Sequence, residues 1–146
     1  NLMEDGQPTL VRDLPFGSRR LRETLQRERG LTAERAEAVL QGRENGVELR
    51  PLVDERIDEL SVGIERAVAF LVAESGGEGW NRGFVSAGGA RIPGLVDALS
   101  RRLGARAEVV NPLQRVRVRP EVMEAFPLDE FAPLLMLPVG LALRQA

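Results

Sequence analysis

The chain has 146 residues, 43% of them hydrophobic, which suits one domain with an apolar core. Its net charge of -2 is too small to select nucleic acid or an anionic membrane as a partner. All 20 basic residues are arginines, and histidine, cysteine and tyrosine are absent. These absences exclude cysteine, lysine and Ser-His catalysis, and imidazole or thiolate metal sites.

The first residues predict a β-hairpin. Residues 1–4 and 9–13 have strand character, and Asp5-Gly6 between them supplies the positive φ of a tight turn. Because the first strand has almost no length, we expect further sequence upstream of it.

Two short, charged helices follow. The first spans residues 18–29, and Gly30 is placed as its C-terminal cap. The second begins after Thr32, a suitable N-cap, and ends at Gly42. Their apolar positions are Leu21, Leu25, Ala36, Val39 and Leu40. We expect them to form a peripheral subdomain rather than a layer of the core.

A long helix is predicted from Pro51 to Glu74, ended by the Ser75-Gly76-Gly77 turn. Its apolar face consists of Val53, Ile57, Leu60, Ile64, Ala67, Val68 and Leu71. The pairs Asp54-Glu55 and Asp58-Glu59 recur at i, i+4, as carboxylates around a cation would. We favour the interpretation that they form the solvated side of the helix.

A strand, a helix and a second strand fill the next segment. Residues 83–86 and 107–110 are the strands, and the helix spans residues 93–103, with Pro93 at its first position and Gly104 as its cap. A unit of this size predicts a parallel strand pair, and therefore an α/β fold class.

The C-terminal part carries two patterns. Arginines at 115, 117 and 119 alternate with valines at 116 and 118, which favours an exposed strand edge protected by charge over a nucleic-acid patch, since no aromatic residue is interleaved. Residues 131–143 are apolar, too few to cross a membrane, and are predicted to form a buried helix that Pro138 kinks or divides into two pieces.

The corner, as we call residues 86–90, joins the first strand of that unit to its helix. Ligands of α/β sheets bind at such places, and glycines let them approach the main chain. Backbone N–H groups from Ile92 to Leu95 would be free to donate to the ligand. Tight packing against a neighbouring element explains small residues equally well, and neither GxGxxG nor GxxxxGK[ST] is present.

Three stretches of the chain carry a family resemblance. The stretch SAGGARIPGLVDALSRRLGARAEVVNPLQRV resembles type IV pilus assembly proteins of the PilM family. The ending VGLALR and the stretch DGQPTLVRDLPFGSRRLRETLQRERGLTAERAEAVLQG are similar to the same family, in the same order. The resemblance covers nearly the whole chain.

The resemblance implies an actin-like (ribonuclease H-like) fold related to FtsA and MreB, of which this chain resembles the second half. It implies a mixed sheet with packed helices, in three parts. Residues 1–17 would be a hairpin of the core subdomain, and residues 18–48 a small helical insertion. Residues 49–146 would be the remaining core with its adenosine-binding loop.

The resemblance also implies a binding site at the corner. It assigns adenosine contacts to Ser86, Ala87, Gly88, Gly89 and Ala90. The family commonly has glycine at the place of Ala87, so the methyl group there is a departure that could narrow the approach to the base or ribose.

Glu65 and Arg66 are candidates for polar contacts with the base, because the long helix is expected to lie on its other side. An ordinary solvated helix face explains these two residues as well, and this is the interpretation we favour.

The implied ligand is ATP, with magnesium and the phosphates held by residues upstream of this chain. No catalytic residue is assigned, and this fragment alone should not hydrolyse ATP. The implied protein is a cytoplasmic scaffold at the inner membrane, without direct membrane insertion. Its partners would be the N-terminal half of the same protein, other assembly components and a cytoplasmic peptide of a pilus inner-membrane protein. An FtsA-like filament protein is the alternative, and a small-molecule kinase is a third candidate.

Overall fold

An antiparallel hairpin opens the fold. A computed structural model describes residues 1–76, 79–125 and 127–144. Strands β1 (Leu2–Glu4) and β2 (Gln7–Leu10) pair through Asp5 and Gly6, whose φ angles are 49° and 78°. The hairpin is confirmed, although its second strand begins two residues earlier than predicted.

The two predicted short helices are present with the predicted caps. Helix α1 (Ser18–Arg29) ends at Gly30, whose φ of 63° is left-handed. Helix α2 (Ala33–Leu40) begins after Thr32, whose side-chain oxygen accepts a hydrogen bond from the Arg35 N–H at 3.3 Å.

These helices belong to the main core, so their predicted peripheral position is wrong. Leu21 of α1 is 0% exposed and Ala36 of α2 is equally buried. One apolar cluster joins them to the next two helices through Leu21, Leu25, Ala36, Val39, Leu40, Leu49, Val53, Ile57, Ile92, Leu95, Ala98 and Leu99. The charged composition of α1 reflects its solvated face, because two leucines one turn apart suffice to bury the other. The residue ranges of the three parts remain a prediction.

The long helix is α3 (Arg50–Ser75), with Pro51 in its first turn and left-handed Gly76 (φ 69°) after its end. Gly77 of the predicted terminating turn lies outside the described residues. Val53 and Ile57 anchor α3 in the core. Leu14, in the segment before α1, lies against α3, since a Cβ added at Gly63 would come within 2.8 Å of its side chain.

The predicted parallel unit is confirmed. Strand β3 (Arg82–Val85) pairs in parallel with β4 (Arg106–Val109), and α4 (Leu95–Leu103) connects them. Helix α4 begins two residues later than predicted, because Gly94 has a left-handed φ of 77° that helical geometry excludes. Pro93 therefore lies in the turn before the helix.

The C-terminal part consists of short helical pieces. These are a 3₁₀ turn (Pro112–Arg115), α5 (Pro120–Ala125), α6 (Leu128–Phe131), a 3₁₀ turn (Ala132–Leu135) and α7 (Met136–Ala142). No helix within the described ranges is long and apolar enough to cross a membrane.

Two predictions for this part are wrong. Residues 116–119 join no sheet, because both described sheets contain two strands and neither includes them. The apolar ending divides before residue 136 and not at Pro138, which lies inside α7. Helix α7 is also not buried: Leu137 is 71% exposed and Leu141 56%. Among the described residues, the 3₁₀ turns at residues 112–115 and 132–135 pack against α7 and leave Leu137 and Leu141 uncovered.

Candidate functional site at the corner

The corner carries the chain out of β3 and into a 3₁₀ turn formed by Gly88–Arg91. Ser86, Ala87 and Gly88 are exposed, Gly89 is half-buried, and Ala90 is buried beneath them. Ser86, Ala87, Gly88 and Gly89 therefore lie at the surface at the carboxyl end of β3, the place where sheets of this class bind ligands, whereas Ala90 does not.

The fold itself does not require glycine at Gly88 or Gly89. A Cβ added at either position would meet no heavy atom of the described residues within 4 Å, and neither φ is left-handed. Elsewhere the reasons for glycine are visible: Gly94 needs its positive φ, and Gly83 has the Trp80 ring 3.0 Å from where its Cβ would lie. Packing against a neighbouring element is thus excluded, within the described residues, as the reason for the glycine pair.

Backbone hydrogen bonds account for several donors near the corner. The Ile92 N–H donates to the Gly89 carbonyl at 3.2 Å, and the Leu95 N–H donates to the Ile92 carbonyl at 3.1 Å. The prediction of free donors from Ile92 to Leu95 is therefore wrong at both ends, because the 3₁₀ turn uses the Ile92 N–H and the turn that leads into α4 uses the Leu95 N–H. In the described part of the chain, the N–H groups of Gly88 and Gly89 have no hydrogen-bond partner.

Ala87 holds a backbone conformation that suits glycine. Its φ of 65° and ψ of -169° lie in a region that residues with a Cβ rarely occupy. Its N–H donates to the Pro133 carbonyl at 2.7 Å, and its own carbonyl accepts from the Ala90 N–H at 3.2 Å. These two bonds hold the corner in a shape for which alanine is the strained choice.

Residues far along the chain position the corner, and sequence reasoning missed them. Pro133 supplies the carbonyl that binds the Ala87 N–H, and Glu130 pairs with Arg91 at 3.2 Å. Ala132 between them is 1% exposed. No local pattern indicated these contacts, because they form only when the C-terminal turn folds back onto the end of β3.

Glu65 and Arg66 are exposed on α3. The Glu65 carboxylate lies 2.6 Å from Arg102, and this hydrogen bond is the largest cause that raises the pKa of Arg102. Arg102 is near the C-terminal end of α4, whereas the corner leads into the N-terminal end of that helix. A role for Glu65 and Arg66 in nucleotide binding stays a prediction.

The acidic pairs of α3 face arginines. Asp54 lies 3.1 Å from Arg101, and Asp58 lies 2.9 Å from Arg102. These contacts tie α3 to α4. Asp54 and Asp58 thus belong to the contact between α3 and α4, whereas the pattern predicted only a solvated side of the helix.

A cavity of about 440 Å³ lies between the end of α2 and the first turns of α3 and α4. Gly42, Val47, Arg50 and Pro93 are among its lining residues, and residues 86–90 are not. It is therefore separate from the corner.

Comparison with known proteins places the whole chain in one family. The sequence profile described as "Type IV pilus assembly protein PilM" matches residues 1–146. The chain belongs to this PilM family. The corner with its glycine pair is thus part of a PilM-family sequence.

A solved structure described as a "PilM-PilN type IV pilus biogenesis complex" is similar to the chain, with a TM-score of 0.71 and 28% sequence identity. The match covers 94% of the present chain and 39% of the solved chain. This PilM-family chain therefore spans well under half the length of that relative.

Proposed function

We propose that this chain is the part of a type IV pilus assembly protein that holds the adenosine of ATP against the main chain at Gly88 and Gly89. The observation that carries the proposal is the open space above two glycines whose conformation and packing do not call for glycine. A flat ligand that contacts the backbone at this place would explain why both residues are glycine.

The chain's own groups fit this ligand. The two unpaired N–H groups at Gly88 and Gly89 are donors for ring nitrogens or ribose hydroxyls, and Ser86 adds an exposed hydroxyl. The buried Ala90 and the Pro133 carbonyl fix the surface from below. The strained Ala87 keeps a methyl group beside the ligand, which should limit affinity.

The activity of the whole protein is part of the proposal. Family membership and the similar complex support a role in type IV pilus assembly. We propose an actin-like scaffold in which residues outside this chain hold the phosphates and magnesium, so that this chain alone does not hydrolyse ATP. When bound, the magnesium ion would neutralise phosphate charge.

The proposed partners follow from the same likeness. The similar solved structure is described as a complex with PilN. We propose that the longer protein acts in the cytoplasm, reaches the inner membrane by binding a pilus protein of that membrane, and contacts further assembly components. The rest of the protein, including its N-terminal half, would complete the nucleotide cleft.

A binding measurement with a fluorescent adenosine nucleotide tests the proposal. We expect the chain to bind it, and Gly88→Val and Gly89→Val to lower the affinity about tenfold or more, because a side chain would occupy the place of the ligand. Both variants should stay close to the melting temperature of the parent, since the added Cβ has no heavy atom of the described residues within 4 Å.

Gly17→Val is the matched control, because Gly17 has extended backbone and open space around its Cα. It should bind like the parent chain. Equal affinity of the parent, Gly88→Val and Gly89→Val for the nucleotide would refute the proposed site.

A further inference from the structure

The residues between Leu113 and Pro120 form an uncommon surface. We name Arg115, Val116, Arg117, Val118 and Arg119 the arginine strip. The three arginines are exposed and the two valines are half-buried, so the strip has a charged face and an apolar face. This alternation is the side-chain pattern of a β-strand, although Arg115 ends the preceding 3₁₀ turn and the strip belongs to neither described sheet.

The charges of the strip are unmatched. Several arginines elsewhere face carboxylates: Arg91 pairs with Glu130, and Arg102 with both Asp58 and Glu65. Others, such as Arg20, Arg29 and Arg43, have no ion pair among the described residues, but they do not alternate along one segment. No carboxylate in the described part of the chain lies within ion-pair distance of the three strip arginines. Three positive charges at alternate positions thus face solvent without a counter-charge.

The backbone of the strip is also unpaired. Val116 has an extended conformation (φ -121°, ψ 149°), and its N–H donates to the Leu113 carbonyl at 3.4 Å. Among described residues, the N–H groups of residues 117–119 have no hydrogen-bond partner. An extended segment with free donors and acceptors is a template for an added strand.

We propose that the arginine strip binds an extended segment of a partner protein in which acidic residues recur at every second position. Strand addition would pair the free backbone groups that face one edge of the strip. Residues opposite each other on one face of a strand pair interact directly, so alternate carboxylates would meet Arg117 and Arg119, and Arg115 at the end of the 3₁₀ turn would add a third positive charge to the surface. This surface is separate from the corner, and the proposal does not depend on nucleotide binding.

Fluorescence anisotropy with a labelled peptide, in which Glu alternates with Val and Thr, tests the proposal on the whole chain. A peptide of the same composition with its Glu residues in one block is the first control. We expect the alternating peptide to bind at least about tenfold more tightly, because its carboxylates match the spacing of the strip. Equal binding of the two peptides would overturn strand-like recognition.

Charge reversal supplies the second arm. The triple variant Arg115→Glu, Arg117→Glu and Arg119→Glu should abolish binding of the alternating peptide. The matched control reverses three exposed arginines without ion pairs elsewhere, Arg20, Arg29 and Arg43, and should bind like the parent chain. An equal loss of peptide affinity in both triple variants would show that binding depends on net charge alone, and this would overturn the proposal.

Amide hydrogen exchange distinguishes strand addition from electrostatic attraction without backbone pairing. Bound peptide should slow hydrogen exchange at alternate residues of the strip, either Val118 alone or Arg117 and Arg119 together, since one added strand pairs with one edge; all three N–H groups are free in the unbound chain, as far as it is described. Binding without such protection would contradict the proposed geometry. Binding of phosphatidylglycerol vesicles through the same three arginines, with no binding of the peptide, would replace a protein partner with a membrane surface.

Discussion

Ala87 shows how one residue can conflict with the backbone it occupies. The carbonyl of Pro133 and the 3₁₀ turn hold its N–H and its carbonyl, and together they impose φ 65° and ψ -169°. Such a conformation costs roughly 1–3 kcal/mol for a residue with a Cβ. The sequence indicated that Ala87 departs from its family, but only the structure shows that the departure stores strain.

The variant Ala87→Gly should therefore stabilise the fold. The free energy released by removing the strain exceeds the free energy that glycine costs through its greater entropy in the unfolded chain. We therefore expect the free energy of unfolding to increase by about 1 kcal/mol and the melting temperature to rise by about 3 °C. Differential scanning calorimetry measures it. Ala69→Gly, at an exposed position inside α3, is the control and should lose about 1 kcal/mol. A destabilised Ala87→Gly protein would show that the backbone is not strained there.

Helix α2 is a single element whose limits are well predicted by its local sequence. Thr32 caps its first turn, as the sequence predicts. The pKa of Glu34 is lowered by its own backbone N–H first and by the Thr32 side chain second. Because the pKa falls on folding, the resulting stability is present above the unfolded-state pKa and is lost as the pH falls through the folded-state pKa.

Removal of the cap should weaken α2 and raise one pKa. At neutral pH, Thr32→Ala should lower the free energy of unfolding by about 1 kcal/mol. NMR titration should show the pKa of Glu34 moving up toward its ordinary value, because one of its hydrogen-bond partners is gone. Thr32→Ser keeps the oxygen and should restore most of both properties. An unchanged Glu34 pKa in Thr32→Ala would contradict the role of the cap.

The molecule as a whole is organised around one core that the two short helices share with α3 and α4. Leu21 is the test residue, since it is fully buried although α1 is otherwise charged. Leu21→Ala should cost about 2–5 kcal/mol through lost burial and a residual cavity.

The described packing predicts a single unfolding transition that Leu21→Ala shifts as a whole, with near-UV and far-UV circular dichroism changing together. Leu31→Ala is the matched control, since Leu31 lies in the α1–α2 loop and is only half-buried. This substitution should lower the free energy of unfolding markedly less than Leu21→Ala does. Two separate transitions, with only the first shifted by Leu21→Ala, would show that the helical insertion folds by itself.

The sequence by itself determined the features that depend on neighbours along the chain. The hairpin turn at Asp5-Gly6, the caps at Gly30 and Thr32 and the parallel unit around α4 follow from local backbone preference and apolar period. The start of α4 was missed by two residues, because Pro93 is also acceptable in the turn that Gly94 closes.

Only the tertiary structure decided features that depend on distant contacts. Three such features are the burial of α1, the hydrogen bond from the Ala87 N–H to the Pro133 carbonyl, and the exposure of α7. They depend on which surfaces meet after folding, and such contacts leave no pattern in the local sequence. The glycine pair belongs to both levels: the sequence predicted close approach at the corner, and the structure shows that the described protein leaves that space open.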